Sequence, residues 1–317
     1  RVLTEFKRLR FNDVWSDGAG NCYARVKGRS GGASVMLNSH LDMVDVGDVD
    51  GWDIPPFEGR IADGHLHGRG AMDIKGPLAL QTYAAARFLE QRPDGDLLVC
   101  FRVCEEKGGG GMQYLLEQGD MRPAAIIIGE ATNGDVCIGH RGRAEVLIEI
   151  TGVAGHASAP ERAGNPIELL PAVLPRLQRL AAALPANDLL GSSTMAPTAL
   201  ETLPRSRNVI PDRVRLILDW RVLPDATAES VVGVFEEELA NVDCPEGWSI
   251  DVRLNREPQR TYTGLERERS MFTPGYLIAS DHPVVRAAVD AIQRETGRLP
   301  ELRPWTFATD GGHACGV

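Results

Sequence analysis

The sequence predicts an α/β protein of two domains, a mainly parallel sheet with helices on both faces and an inserted α+β sandwich. Three short, nearly continuous apolar runs are typical of strands that are buried on both faces of a parallel sheet. These runs lie at residues 34–37, 97–101 and 125–128. After about residue 142 the apolar residues alternate with polar ones, as in strands with one solvated face. The length of 317 residues also exceeds one typical core.

Helical segments separate the strands of the first domain. Residues 77–91 form an alanine-rich segment with Pro77 in its first turn and an apolar face that includes Leu80 and Phe88. A second helix is predicted at residues 111–118. Alternation of strands and helices is typical of an α/β domain. We therefore assign residues 1–141 to the first part of this domain.

The inserted domain is predicted at residues 142–260. Its pattern is strand, helix, strand, helix, at residues 144–150, 167–184, 214–222 and 230–239. A further helix at 284–296 and a strand at 302–307 are expected to return to the first sheet. Residues 261–317 are therefore the predicted second part of the first domain.

Composition excludes some classes of protein. There are 34 Lys and Arg against 44 Asp and Glu, a net charge of -10, so we expect no binding to nucleic acid or to an anionic membrane. No apolar stretch is long enough to span a membrane. Six cysteines without a CxxC pair favour reduced thiols and a cytoplasmic location. Because the chain opens at Arg1 without Met, a preceding leader is left open.

Acidic residues and one histidine follow the three apolar strands. His40 and Asp42 come after the first strand, Glu105 and Glu106 after the second, and Glu130 after the third. In α/β sheets, ligands bind outside the carboxyl ends of the strands. We therefore expect these side chains to meet at one edge of the sheet.

Another acid, Asp73, lies in a glycine-rich turn ahead of the helix at 77–91. So many carboxylates in one place repel each other unless cations are present. Mixed histidine and carboxylate ligands suit two divalent metals, zinc first, with manganese or cobalt as substitutes. Such metals polarise a scissile carbonyl and activate water, and a free carboxylate can then act as general base. Consecutive residues at a strand end point to opposite sides, so Glu105 and Glu106 are expected to differ in role.

The motifs resemble those of the di-zinc exopeptidase and deacylase family, which includes aminoacylases, acetylornithine deacetylase, succinyl-diaminopimelate desuccinylase and carboxypeptidase G. They are HLD at 40–42, WDIPPF at 52–57, GRGAMDIKG at 68–76 and the Glu105–Glu106 pair, in family order. The resemblance covers essentially the whole chain. It implies a metal-dependent hydrolase that cleaves the amide bond of a small N-acyl amino acid or short peptide. The acyl group and the amino acid stay open, because fold analogy does not settle a substrate.

The resemblance also implies a set of metal ligands. His40 and Glu130 would hold one metal, Glu106 would hold the other, and Asp73 would bridge both. A cis peptide often follows the bridging aspartate in this family, so we expect one between Asp73 and Ile74.

Two further roles near the metals follow from the resemblance. Glu105 would be the general base, and Asp42 would orient the imidazole of His40. The family has one more histidine ligand near its C-terminus, which we expect beyond Val317. His313 lies too early in the chain to match it.

The inserted domain resembles the lid and dimerisation domain of the family. His156 would reach the active site of a partner subunit and stabilise the oxyanion there, which implies a homodimer. Asn208 and Arg221 would bind polar groups of the substrate, and Arg221 suits a carboxylate. Asp310 lies in a segment that resembles the floor of the substrate pocket.

Other histidines are given structural interpretations. His65 and His67 resemble a metal pair, but the Asp63–Gly64 pair beside them predicts a hairpin turn. His282 precedes a proline at a predicted helix start. His140 either lines the pocket or ends a strand, and the second interpretation is favoured.

Two other functions are considered. One is a non-catalytic binding protein on the same fold with an incomplete metal site. The other is a nucleotide-binding protein, since glycines occupy residues 108–111 before a helix. The two glutamates just ahead of those glycines would repel phosphate, and neither a Walker pattern nor GxGxxG is present.

Overall fold

A computed structural model describes residues 1–119 and 121–315. Its strands, numbered in chain order, are β1 Asp13–Ser16, β2 Cys22–Val26, β3 Gly32–His40, β4 Arg60–Ala62, β5 His65–His67, β6 Gly95–Arg102, β7 Ala125–Ile128, β8 Val136–His140, β9 Arg143–Thr151, β10 Gly155–His156, β11 Ala186–Asn187, β12 Gly191–Ser192, β13 Thr194–Leu203, β14 Val209–Ile210, β15 Arg213–Arg221, β16 Ser249–Leu254, β17 Arg256–Arg260, β18 Glu266–Ser270, β19 Phe272–Thr273, β20 Tyr276–Leu277 and β21 Leu302–Trp305.

The helices lie between and around these strands. They are α1 Val2–Arg8, α2 Gly76–Arg87, α3 Gly110–Gln118, α4 Leu170–Ala182, α5 Ala228–Leu239, α6 Pro283–Thr296 and α7 Gly311–Ala314. Short helical turns occur at Val49–Gly51, Ala71–Lys75, Pro160–Arg162 and Pro166–Leu169. Every predicted strand and helix named above is present, with bounds that differ by a few residues.

The first sheet has five strands in the order β1-β2-β6-β3-β7. Strand β3 runs parallel to both β6 and β7, so the carboxyl ends of these three strands lie at one edge. Strands β1 and β2 are antiparallel to their neighbours. The sheet is therefore mixed, and its antiparallel half was not expected from the sequence.

Helices cover both faces of this sheet, as predicted. Along β6, Val99 and Phe101 pack with α1 and α2 on one face. Leu98 and Cys100 pack with Met112 of α3 on the other face. Successive strand residues point to opposite faces, so a strand buried on both sides needs a continuous apolar run. Burial of each such side chain contributes roughly 1.5–3 kcal/mol.

The second sheet is antiparallel, in the order β13-β15-β9-β16, and β19 also pairs with β9. Alternate residues such as Ile148 and Leu216 are buried against Val173 of α4 and Phe235 of α5. This alternation explains the half-polar pattern of the sequence. Because β19 belongs to the sheet, its strands continue past residue 260, the predicted end of the inserted domain.

The polar face of the second sheet carries ion pairs across neighbouring strands. Glu149 on β9 pairs with Arg215 on β15 and with Arg253 on β16. The side chain of Glu149 is only 13% exposed. Opposite charges on adjacent strands stabilise such a sheet.

A smaller sheet has the order β20-β8-β21. The strand predicted at 302–307 is present as β21, but in the described residues it pairs with β8 and not with the five-stranded sheet. Helix α6 begins at Pro283, and Nδ1 of His282 accepts a hydrogen bond from the Val284 N–H. The structural role predicted for His282 is confirmed.

Three further sequence interpretations can be compared with the structure. Strands β4 and β5 form the predicted hairpin, with positive φ at Asp63 and Gly64 in its two-residue turn. All six cysteines are free in the described part of the chain. Among the described residues, no helix is long and apolar enough to cross a membrane.

Candidate metal centre and active site

The predicted strand-end residues meet at one edge of the first sheet. His40 is the last residue of β3, Glu105 and Glu106 follow β6, and Glu130 follows β7. His40 Nε2 lies 3.9 Å from a carboxylate oxygen of Glu105 and 3.9 Å from one of Glu130. The parallel strands β3, β6 and β7 thus bring together residues that are up to 90 positions apart in the chain.

Asp73 reaches the same place from the turn ahead of α2. Its Oδ1 lies 3.0 Å from His40 Nε2. The peptide between Asp73 and Ile74 is cis, which confirms the expected bond. His40, Asp73 and Glu106 each offer a ligand atom, and these atoms lie within 4.8 Å of one another.

The imidazole of His40 is buried and held at both nitrogens. Nδ1 lies 3.0 Å from the backbone oxygen of Asp42, and Nε2 faces Asp73. Burial lowers the pKa of His40, but its contacts with Asp42 and Asp73 outweigh this and raise the pKa to about 11. With the Nδ1 proton donated to the backbone oxygen of Asp42, Nε2 is the nitrogen that would bind a metal once its own proton is lost.

Asp42 fixes the turn that carries Glu105 and Glu106. One carboxylate oxygen accepts a hydrogen bond from the Glu105 N–H at 3.1 Å, and the other accepts one from the Glu106 N–H at 3.1 Å. Burial raises the pKa of Asp42, yet its contacts with His40 and these N–H groups keep the pKa below its usual value. Asp42 therefore links the end of β3 to both glutamates, a contact that the sequence did not reveal.

The acidic cluster has too little positive charge of its own. Burial raises the pKa of Glu105 to about 9, with a further contribution from Asp310. Burial also raises the pKa of Glu130 to about 7, and burial together with Asp73 raises that of Glu106. Cations near these groups would favour their ionised forms. One imidazole and several convergent carboxylates are a donor set that fits divalent metals.

A cavity of about 330 Å³ opens above the cluster. Its lining residues are His40, Asp73, Glu105, Glu106, Gly108, Glu130, Arg143, Arg221, Arg269, Met271, Thr273, Phe307 and Ala308. Arg221, predicted to bind substrate, is among them, and its Nε donates to Asp219 at 2.7 Å. Arg143 and Arg269 were not predicted, because nothing in their local sequence distinguishes them from surface arginines.

His156 and Asn208 lie together but away from this cavity. His156 is exposed on β10, and its Nδ1 accepts a hydrogen bond from the Ser158 N–H at 3.1 Å. The backbone oxygen of Asn208 accepts one from the Ala157 N–H at 3.1 Å. The structure does not bring these two residues to the cavity of their own chain. Their action at the site of a partner subunit stays a prediction.

Asp310 is buried rather than placed in the cavity. Its carboxylate forms an ion pair with Arg102, and both side chains are 1% exposed. Its predicted place at the floor of the substrate pocket stays a prediction. Arg102 ends β6, three positions before Glu105, and was missed by the sequence analysis. An arginine inside the apolar run LLVCFRV was the available signal, since a buried arginine requires a partner.

Two other histidines have backbone partners. His140 ends β8, is buried, and accepts a hydrogen bond at Nε2 from the Thr309 N–H at 3.0 Å. Burial lowers the pKa of His140 to about 4, so it stays neutral. These contacts support the strand-end interpretation. Nε2 of His313 lies 3.2 Å from the Gly108 carbonyl oxygen.

The geometry agrees with a comparison to known protein families. A model of peptidase family M20/M25/M40 matches residues 36–316. The chain belongs to this family. The family resemblance that the motifs predicted is confirmed. Family membership supports a hydrolase that acts on acyl amino acids or peptides with divalent metals.

Individual relatives agree with this assignment. The chain is 30% identical to the uncharacterized protein YgeY of Escherichia coli K12, over 98% of this chain and 76% of the relative. It is 31% identical to a succinyl-diaminopimelate desuccinylase of Methylorubrum extorquens, over 96% of this chain and 76% of the relative.

Solved structures share the fold. Aminopeptidase PepT from Bacillus cereus is similar with a TM-score of 0.68 and 23% identity, over 99% of this chain and 80% of the other. YXEP of Bacillus subtilis, described as a dinuclear metal binding peptidase of the M20 family, has a TM-score of 0.64 and 15% identity, over 98% and 78%. The mixed α/β fold is therefore that of known M20 structures.

Proposed function

We propose that this protein hydrolyses the amide bond of a small N-acyl amino acid or short peptide, with Glu105 as general base. One observation carries the proposal. The carboxyl group of Glu105, 12% exposed, lies in the same cavity as the donor set of His40, Asp73, Glu106 and Glu130. A base beside a metal centre is the arrangement that metal-assisted hydrolysis needs.

Four side chains would hold the metals. We assign His40 and Glu130 to one ion, Glu106 to the other, and Asp73 to both, with zinc favoured over manganese or cobalt. When bound, the cations supply positive charge that polarises the scissile carbonyl and lowers the pKa of a water molecule. Asp42 keeps the imidazole and the glutamates in register through its hydrogen bonds.

Glu105 would move one proton in each turnover. It takes a proton from the attacking water as the oxygen–carbon bond forms, and it delivers that proton to the amine nitrogen as the carbon–nitrogen bond breaks. Its burial raises its pKa, which helps it to hold the proton between these steps. Delivery of the proton to the amine leaves Glu105 ionised for the next turnover, a state that bound cations would favour.

The second sheet would contribute to substrate binding. Arg221 lies in the cavity and suits the carboxylate of an amino acid, because guanidinium binds carboxylate through two hydrogen bonds. His156 and Asn208 would act at the site of a partner subunit, in a homodimer formed by the predicted lid domain. Strand β13 is the exposed edge of the second sheet, and such an edge is suited to pairing with another chain.

The test uses protein expressed from the complete gene. Metal is removed with a chelator and restored as zinc, manganese or cobalt, and a panel of N-acyl amino acids and dipeptides is assayed. We expect about two metals per chain and metal-dependent cleavage of at least one amide. A chain that binds metal but cleaves no member of the panel would favour the non-catalytic binding protein instead.

A further inference from the structure

Three arginines line the active-site cavity: Arg143 of β9, Arg221 of β15 and Arg269 of β18. Arg143 pairs with both Glu145 and Asp219, and its Nε lies 2.7 Å from Asp219. Arg221 pairs with the same Asp219 at 2.7 Å. These two carboxylates therefore pair with two of the three guanidinium groups, and in the part of the chain that the structure describes Arg269 is left without a carboxylate contact.

Arg269 is the arginine without an acidic partner. It is 5% exposed, and among the described residues no carboxylate lies within 4.0 Å of it. Its guanidinium donates to the Lys107 carbonyl oxygen and contacts the sulfur of Met271, but its Nε has no partner. Burial lowers the pKa of Arg269 and Arg143 lowers it further, and the carboxylates of Glu257, Glu145 and Asp310 offset this only in part. A buried guanidinium without a contacting carboxylate is costly, so Arg269 is suited to bind an anion that enters the cavity.

The turn that carries Glu106 is shaped to admit this guanidinium. Gly108 has a φ of +88°, and a Cβ built on it would lie 2.0 Å from a guanidinium nitrogen of Arg269. Only glycine allows such close contact in this backbone conformation. The cation therefore lies against the main chain two residues from Glu106, beside the metal ligands and inside the cavity.

We propose that Arg269 is a specificity residue that binds a second carboxylate of the substrate, in addition to the one bound by Arg221. The preferred substrates are then dianionic, with one carboxylate on the amino acid and another on its side chain or on the acyl group. This inference rests on the proposed amide hydrolysis and narrows its substrate class. Guanidinium is suited to this role, because it binds carboxylate in a fixed, two-point geometry.

The experiment compares pairs of substrates that differ only at the second carboxylate, on the metal-loaded protein from the complete gene. N-acetylglutamate against N-acetylglutamine tests the side-chain position, and N-succinylalanine against N-succinamoylalanine tests the acyl position. In one of the two pairs we expect kcat/KM to favour the carboxylate by about 10- to 100-fold, the size of one charge-assisted hydrogen bond. The pair that shows the preference identifies where the second carboxylate lies.

Three variants then locate the source of the preference. Arg269→Gln should bring the ratio close to one, and Arg269→Lys should reduce it while still favouring the carboxylate. Arg267→Gln is the matched control, since Arg267 lies on the same strand, is 41% exposed and pairs with Glu117 outside the cavity. We expect it to keep the ratio. Equal loss on both members of a pair in Arg269→Gln, or no preference in the wild-type protein, would overturn the proposal while leaving amide hydrolysis intact.

A binding measurement separates this inference from the proposed function. If no amide is cleaved, calorimetry with succinate and succinamate still tests whether Arg269 binds a carboxylate. Tighter binding of succinate by the wild-type protein, with loss of that difference in Arg269→Gln and a smaller difference in Arg269→Lys, would support the assignment. Equal binding of the two ligands would refute it. Melting temperatures of all variants show whether each has folded. If Arg269→Gln does not fold, the comparison is made with Arg269→Lys.

Discussion

Glutamates at two places in this molecule have pKa values shifted in opposite directions. On the polar face of the second sheet, Glu149 lies between Arg215 and Arg253, and although burial raises the pKa of Glu149, these arginines lower it below the usual value. At the edge of the first sheet, burial raises the pKa of both Glu105 and Glu130. Burial raises the pKa in both settings, so the arginines beside Glu149 account for the opposite result there.

The two settings therefore have different purposes. Glu149 is neutralised by the protein, and its charge contributes to folding. The acids at the strand ends are packed against other acids, which costs stability unless cations are bound. Charged side chains that have no partner of opposite charge in the fold indicate a binding site. In this molecule the acidic cluster would bind cations, and Arg269 would bind an anion. Three predictions test this comparison.

The largest expected effect is on turnover, from a change in the acidic cluster at the edge of the first sheet. Glu105→Gln keeps the shape of the side chain but cannot take a proton, so turnover should fall by at least about 100-fold. Metal content should stay at the wild-type level, because Glu105 is not assigned as a ligand. Steady-state kinetics and elemental analysis measure the two quantities.

The matched control for that change is Glu58→Gln, which removes an exposed carboxylate paired with Arg60. Its turnover should equal that of the wild-type protein. Near-normal turnover in Glu105→Gln would show that Glu105 is not the base.

A smaller effect is expected for Asp42→Asn. The amide has only one acceptor oxygen, so it cannot receive both the Glu105 and Glu106 N–H groups, and the turn shifts. Metal affinity should fall by about 10-fold or somewhat more, as for other residues that orient a metal ligand. Competition with a chromogenic chelator measures it. Asp45→Asn, on the exposed loop nearby, should leave metal affinity unchanged, and an equal loss in both variants would contradict the role of Asp42.

The smallest effect is expected at Glu149 on the second sheet, and it concerns stability. Glu149→Gln should lower the free energy of unfolding by about 1 kcal/mol at neutral pH, because its partners Arg215 and Arg253 are partly exposed. Urea denaturation of metal-free protein measures the difference. Glu246→Gln, an exposed position, should change nothing.

The pH dependence of that difference has a definite sign. The folded-state pKa of Glu149 lies below its ordinary value of 4.5, so the carboxylate stabilises the fold above pH 4.5. This contribution is lost as the pH falls through the folded-state pKa. The gap between wild type and Glu149→Gln should therefore close in acid, and a gap that widens there would contradict the ion-pair account.

The fold was largely predictable because its strands and helices follow simple periodicities. The apolar runs that became β3, β6 and β7 are long enough to be recognised, and so are the alternating strands β9 and β15. Strands β1 and β2 were missed because they are short and their pattern is mixed. The pairing of β21 with β8 was also missed, since strand order depends on tertiary packing.

The metal cluster was predictable for a related reason. His40, Glu105, Glu106 and Glu130 follow recognisable strands, and parallel strands end at one edge. The pair of Arg102 and Asp310 was not found, because its two members are 208 positions apart and meet only in the folded chain. Arg269 has the same local pattern as the exposed Arg267, so only burial distinguishes the two.

The hydrogen bonds of Asp42 have a consequence for how the centre acquires its ions. They join the end of β3 to the turn after β6 through the Glu105 and Glu106 N–H groups. The sheet, and not the ion, therefore sets the position of the Glu106 main chain relative to His40. Metal binding then needs little rearrangement of the backbone, and one metal ion can replace another without unfolding the turn that carries Glu105 and Glu106. Exchange between zinc, manganese and cobalt should accordingly be governed by the departure of the ion and its water, with the protein as a rigid host.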